Sequence, residues 1–252
     1  MPSSDKKVAI VTGASRGIGA ATALRLAADG FSVCINYRQD SSAAQQIATL
    51  IADGNGVAII EKADVSQEAD VERLFETTCK QLGKPAALVN NAGILFPQSK
   101  LIDLDAERIN RVLATNVTGS FLCAKYAVRL MSTDLGGSGG VIVNISSAAA
   151  KLGSAGEYVD YAASKGAIDT LTIGLANEVA DQGIRVNAVR PGFIYTAMHA
   201  SGGEADRVDR LKKSLPMQRG GSAEEVAAAV SWLVSDESSY STGAFIDVSG
   251  GR

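Results

Sequence analysis

Short apolar runs alternate with longer amphipathic segments along the whole chain. "KVAIVTG" (7–13), "SVCINY" (32–37), "VAIIEKADV" (57–65), "PAALVNNAG" (85–93), "GGVIVNISS" (139–147), "IRVNAVRPG" (184–192) and "AFIDVSGG" (244–251) predict strands. Between them the spacing predicts helices over 17–30, 41–54, 66–83, about 105–131, about 159–181 and 222–236. The first is stopped by Gly30, the second opens on serine caps, and the third is also read as capped. The last carries a capping box, Ser222 with Glu225 three residues on. Strands apolar on both faces and separated by helices imply a parallel sheet covered on both sides. The expected fold class is therefore α/β: a doubly wound sheet of about seven strands in one domain spanning 1–252, since no Pro/Ser-rich hinge or charge block divides the chain.

The first strand runs into "TGASRGIG" (12–19), which opens the first helix. Gly13, Gly17 and Gly19 allow a tight turn, close approach of backbone to a ligand, and close helix–strand packing. A helix N-terminus there suits a pyrophosphate. The alternative is a turn that only packs tightly. At the tip of the second strand an acid would accept hydrogen bonds from an adenosine ribose and select NAD. The chain instead reads "INYRQD", with Tyr37 and Arg38 at that place and Arg16 inside the glycine turn. Two guanidinium groups suit a 2′-phosphate, which favours NADP(H). Asp40 nearby leaves NAD(H) open.

Composition narrows the class. Lys+Arg 24 against Asp+Glu 27 shows no basic excess for nucleic acid or an anionic membrane. No apolar run approaches the ~20 residues of a membrane span, and the N-terminal apolar stretch is too short for a signal peptide, so a cytoplasmic enzyme is expected. Cys34, Cys79 and Cys123 are an odd, widely spaced set without CxxC, which argues against disulfides or a zinc site and for buried thiols; no metal is expected. His199 is the single histidine, which leaves little material for a Ser-His-Asp triad.

"YVDYAASKGAIDTL" (158–171) sets Tyr161 and Lys165 four apart on one predicted helical face. A phenol titrates near ~10, and bringing it to ~7 takes roughly 4 kcal/mol. An ammonium ~4 Å away in partly desolvated surroundings supplies about that much. Tyr158 has Ala162 at the same offset and is read as lining or packing.

With the glycine turn, "NNAG" (90–93), Asn116 in "LATNVTGS", "NISS" (144–147), "YAASK" (161–165) and "RPGFIYT" (190–196), the sequence resembles the short-chain dehydrogenase/reductase family from about Lys6 to Arg252. It looks most similar to bacterial NADP-type 3-oxoacyl-carrier-protein reductases and glucose 1-dehydrogenases. The resemblance implies a catalytic tetrad: Tyr161 as general acid/base, Lys165 lowering its pKa and holding the nicotinamide ribose, Ser147 bonding the substrate oxygen, and Asn116 supporting a relay water. Strand alternation points Ser146 and Ser147 to opposite faces, and the resemblance favours Ser147. Asn116 also reads as a helix cap or kink.

The resemblance further assigns Gly13, Ser15, Arg16, Gly17, Ile18 and Gly19 to the phosphate turn. Asp64 and Val65 would contact adenine, and Asn91, Ala92 and Gly93 would wall the ribose. Pro191, Gly192, Ile194 and Thr196 would hold the carboxamide. The activity implied is reversible hydride transfer with a small carbonyl or alcohol, by a homotetramer or homodimer. A polar segment at about 197–215 is expected to cover the substrate, with Met198, His199, Leu215, Leu95, Phe96 and residues 152–158 as candidate lining. No basic pair there is obvious. The alternatives are a non-catalytic nucleotide-sensing module on the same fold and a dehydratase or epimerase with a bound dinucleotide.

Overall fold

A computed structural model describes residues 6–252. Seven parallel strands form one sheet: β1 Val8–Val11, β2 Ser32–Tyr37, β3 Val57–Lys62, β4 Pro85–Asn90, β5 Gly140–Ile145, β6 Ile184–Pro191 and β7 Phe245–Val248. Their order is β3-β2-β1-β4-β5-β6-β7. The doubly wound α/β sheet expected from the apolar runs is what forms.

Residues alternate between two apolar layers, as a period of two requires. Ala9, Val11, Val33 and Ile35 face helices α1 (Gly17–Ala28) and α10 (Ala223–Val234). Ile10, Cys34 and Leu88 face α3 (Glu68–Gln81), α5 (Gly119–Met131) and α7 (Val159–Val179). Cys34 and Cys123 are buried in the second layer, where desolvation pushes both thiols up to about 12.

Helix α1 ends as expected: Gly30 has φ 96° and its N–H donates to Ala27 O. The capping box on α10 forms, with both reciprocal bonds. Two caps differ from expectation. Helix α2 (Ser41–Asp53) is capped by the Asp40 carboxylate, which accepts from Ala43 N at 2.9 Å, and the serines lie inside its first turn. Helix α3 has no side-chain cap: its N-cap position is Gln67, and Ser66, one residue earlier, donates its hydroxyl to Asp64.

The helix expected over about 105–131 is interrupted. Helix α4 (Ala106–Leu113) passes through a π-helical turn, Ala114–Thr118, before α5 resumes. Insertions of this kind cluster at functional sites. Three short helices were not legible in the pattern: α6 (Ala149–Leu152), α8 (Met198–Ser201) and α9 (Arg207–Leu211). Among the described residues no helix is long and apolar enough to cross a membrane.

Candidate active site

The strand order reverses between β1 and β4, and a crevice of about 380 Å³ opens at the carboxyl ends there. Its floor is held by short polar side chains at the strand ends. The Thr12 hydroxyl accepts from Asn91 N and Ala92 N, both at 2.9 Å, tying β1 to the exit of β4. Asn36, buried at the end of β2, accepts from Gly13 N at 3.1 Å and donates to Ala63 O at 3.0 Å. Its amide thereby fixes the glycine turn to β2 and to the exit of β3. Sequence reading missed Asn36, although an Asn inside an apolar strand is a visible anomaly.

The turn itself meets the physical requirements of an anion cradle. Arg16 occupies the N-cap of α1 with extended backbone and makes no side-chain cap. The N–H groups of the first turn are therefore left to a ligand, with no acidic residue in that turn. Gly13, with φ 61°, lies so close to β4 that a Cβ would sit 3.0 Å from Ala92 Cα. Ser15, Arg16, Gly17 and Ile18 line the crevice. Gly19 does not; it is the packing glycine, where a Cβ would meet Asn91 Nδ2 and Gly13 O.

Past the ends of β2 and β3, Tyr37, Arg38, Asp64 and Val65 line the crevice. Arg38 pairs with Asp64 at 3.0 Å. Asp40 is committed to capping α2, so the carboxylate that left NAD open has another task. In the centre Asn91, Ala92 and Gly93 form one side, and Pro191, Gly192, Ile194 and Thr196 the other.

The predicted tetrad converges in part. Tyr161, Lys165 and Ser147 all line the crevice. The Ser147 hydroxyl stands close enough to Tyr161 to lower its phenol pKa, while the Ser146 hydroxyl turns the other way and donates to Asp169 at 2.6 Å. Strand alternation separates the two serines as expected. Asn116 is fully buried and its side chain does not reach the crevice. Its amide accepts from Ile94 N at 2.8 Å and donates to Ile94 O and the Ser164 hydroxyl, each at 3.0 Å. These bonds fasten the π turn to the segment after "NNAG" and to α7. They also hold Gly93 where a Cβ would lie 3.6 Å from Lys165 Nζ.

The electrostatics depart from expectation. Burial pushes the Tyr161 phenol up to about 12, against the Ser147 hydrogen bond, which lowers it. Lys165 does not drag it toward neutrality. Its Nζ lies 5.6 Å from the ring centroid and donates to Ile145 O at 2.7 Å. Burial in turn pulls Lys165 down to about 8, against the Asp169 carboxylate, which raises it. At this site desolvation outweighs the Coulomb term that the four-residue spacing suggests.

About half of the residues expected to receive substrate line the crevice. Leu95, Leu152, Met198 and His199 line it, together with Tyr158, which is buried and donates to Gly202 O at 3.0 Å. Leu215 is buried elsewhere, and Phe96 lies against Arg108 and Arg111. Arg207 and Arg252 also line the crevice, which sequence reading missed. Arg207 is neutralised by Glu157, 50 positions away, and by Glu204.

This arrangement has relatives. A family model described as enoyl-(acyl carrier protein) reductase matches residues 13–252. The uncharacterized oxidoreductase YgfF of Escherichia coli is 63% identical over 97% of this chain and 99% of that one. The chain belongs to the short-chain dehydrogenase/reductase family. Within the family of oxidoreductases, it is also 39% identical to glucose 1-dehydrogenase 2 of Bacillus subtilis, over 97% and 94% of the two chains. A short-chain dehydrogenase from Burkholderia cenocepacia, solved in complex with NADP, superposes with a TM-score of 0.88 at 36% identity, covering 97% of each chain.

Proposed function

We propose that the protein is an NADP(H)-dependent reductase of small carbonyl compounds, with Tyr161 as the acid. The observation that carries this reading is the convergence of Tyr161, Ser147 and Lys165 on the crevice that the uncapped turn of α1 enters. When bound, the dinucleotide supplies hydride to a carbonyl carbon. The chain does the rest. The first-turn N–H groups of α1 hold the pyrophosphate; Asn91, Ala92 and Gly93 wall the ribose; Pro191, Gly192, Ile194 and Thr196 seat the carboxamide. Ser147 bonds the carbonyl oxygen, and Tyr161 gives its proton to the alkoxide that develops there. Lys165 supplies positive charge beside the ribose. Asn116 acts through Ile94 and Ser164, keeping Gly93 and α7 in register, rather than by touching substrate.

Arg16 and Arg38 line the crevice, and Asp40 beside them is engaged through Oδ1 in capping α2; two cations against one partly engaged carboxylate support NADP(H) over NAD(H). A charged hydrogen bond of this type is worth about 1.5–3 kcal/mol, or ~10–100-fold. Arg38→Ala should therefore raise the KM for NADPH by at least ~10-fold and leave that for NADH little changed. The deciding experiment is oxidation of NADPH followed by absorbance against ketones, 3-oxoacyl thioesters and aldoses. If none of these consumes NADPH faster than the blank, the reading fails and a non-catalytic nucleotide sensor takes its place.

Leu113, Phe121 and Ile173 expose 38, 50 and 49% of their surface on α4, α5 and α7. Their cover favours self-association, as a homotetramer or homodimer. Light scattering on the purified protein should return a multiple of 26.0 kDa.

A further inference from the structure

Behind the catalytic face lies an ion pair that the reaction as described does not use. Arg190, on β6 directly before Pro191, donates to Asp169 on α7 through Nε at 2.9 Å and through a second guanidinium nitrogen at 2.8 Å. Both side chains are nearly buried, at 12 and 15% exposure. The other oxygen of Asp169 accepts from the Ser146 hydroxyl at 2.6 Å. Ser146 immediately precedes Ser147, and its hydroxyl also lies 3.2 Å from Lys165 O. Asp169 is one helical turn beyond Lys165. One carboxylate thus touches the strand end that carries Ser147, the helix that carries Tyr161 and Lys165, and the strand that leads into the carboxamide wall.

We propose that Asp169, anchored by Arg190, is a positioning residue for the reaction: through Ser146 it orients Ser147, and through its charge it sets the protonation state of Lys165. The inference rests on the catalytic reading above. Lys165 is encased, with its ammonium on Ile145 O, and so has little water to stabilise its charge. A fixed anion one turn away offsets that loss; Asp169 is the group that raises its pKa, against burial, which leaves it at about 8. The other charged or titratable groups around this cluster are Tyr161 on α7, Asp247 on β7 and Lys151 on α6. Asp247 lies 3.8 Å from Arg190 and pairs with Lys151 at 2.6 Å. Arg190 also lies 3.7 Å over the Phe245 ring, so it stays in place when Asp169 is changed.

The sign follows. Lys165 carries charge below its pKa, so carbonyl reduction is full at lower pH and falls as pH rises through about 8. Asp169→Asn removes the anion and leaves Arg190 uncompensated, so the alkaline limb of kcat moves down by about one pH unit. Arg190→Met leaves the anion without its partner and moves the limb up. Asp169→Asn with Arg190→Met returns it toward the parent value. Ser146→Ala lowers kcat without moving the limb, because it breaks only the link to Ser147.

The test is the pH profile of kcat for NADPH-dependent reduction in these variants. Opposed shifts for the two single variants support the proposal. An unmoved limb in Asp169→Asn, or shifts of the same sign in both, overturns it. Should the asparagine variant not fold, Arg190→Met decides alone: an upward shift supports the proposal and an unmoved or lowered limb overturns it. Failure of the catalytic reading is distinguishable, since it shows as an active Tyr161→Phe; an inactive Tyr161→Phe with a flat response to Asp169→Asn leaves that reading standing and removes only this one.

Discussion

Tyr161→Phe is expected to lower kcat for carbonyl reduction by about three orders of magnitude, within the ~10²–10⁴-fold that a positioned general acid contributes. The ring stays, so the crevice wall and its packing stay. Ser147 still accepts from Ala149 N at 3.1 Å, so losing the phenol hydroxyl costs about 1 kcal/mol of stability. For a chain of this length that is a fall in Tm of roughly 2–4 °C. The dissociation constant for NADPH, followed by its fluorescence, should be unchanged within about twofold. A variant that keeps more than a tenth of the parent kcat would remove Tyr161 from the chemistry. A collapsed Tm would mean that the loss reports folding instead.

Burial raises the Tyr161 phenol, which fixes the form of it that meets a substrate near neutrality. At about 12 the phenol is protonated at neutral pH, the form needed to donate. An alkoxide is a stronger base than a phenolate, so donation runs downhill. Alcohol oxidation needs the phenolate instead. At neutral pH the raised phenol pKa disfavours that form. The helical spacing of Tyr161 and Lys165 suggests a phenol poised near neutrality; burial instead holds it on the protonated side. Reduction at neutral pH therefore meets Tyr161 already in its donating form, and the charge on Lys165, pulled down to about 8, sets the pH range of that direction.

What could be read from the chain and what could not divide along one line: whether the determinant is local. The seven strands follow from runs of apolar residues, and the Gly30 and Ser222–Glu225 helix ends from residues within a few positions of each other. The glycine turn, Tyr161 and Lys165 are equally local, and all but Gly19 of the turn residues assigned to the cofactor line the crevice. The π turn at Asn116 is not local, because its amide is claimed by Ile94 and Ser164, 22 and 48 positions away. Asp40 displaces the serines as the cap of α2 because a carboxylate holds the helix N-terminus more strongly than a hydroxyl. Arg207 escapes notice in the sequence because its partner Glu157 lies 50 positions away. The depth at which Tyr161 sits belongs to the same group. Spacing along a helix states which groups are neighbours, but only the assembled sheet and its covering helices decide how much water remains between them.

Gly19→Ala tests the close approach that packs the glycine turn against Asn91. On an exposed helix the change would stabilise by roughly 0.5–1 kcal/mol. In α1 the new methyl would meet Asn91 Nδ2 and would sit 2.6 Å from Gly13 O and 2.9 Å from Ala14 Cα. Asn91 Nδ2 donates to Thr12 O at 2.8 Å and Gly13 O at 3.1 Å, so displacing it frees two carbonyls at the junction of β1 and β4. Overpacking costs about 1–3 kcal/mol, and each buried acceptor left unpaired costs ~1–3 kcal/mol more. The net expectation is a loss of about 3 kcal/mol or more, read by urea denaturation as a lower midpoint with an unchanged slope. NADPH binding should weaken by at least ~10-fold, because Gly13 is pushed from the turn that faces the pyrophosphate. Adding Asn91→Ala removes the nearest atom but leaves the two backbone contacts, so the double variant should recover neither stability nor binding. Full recovery would show that the amide side chain alone, and not the close approach of the two backbones, requires glycine at this position.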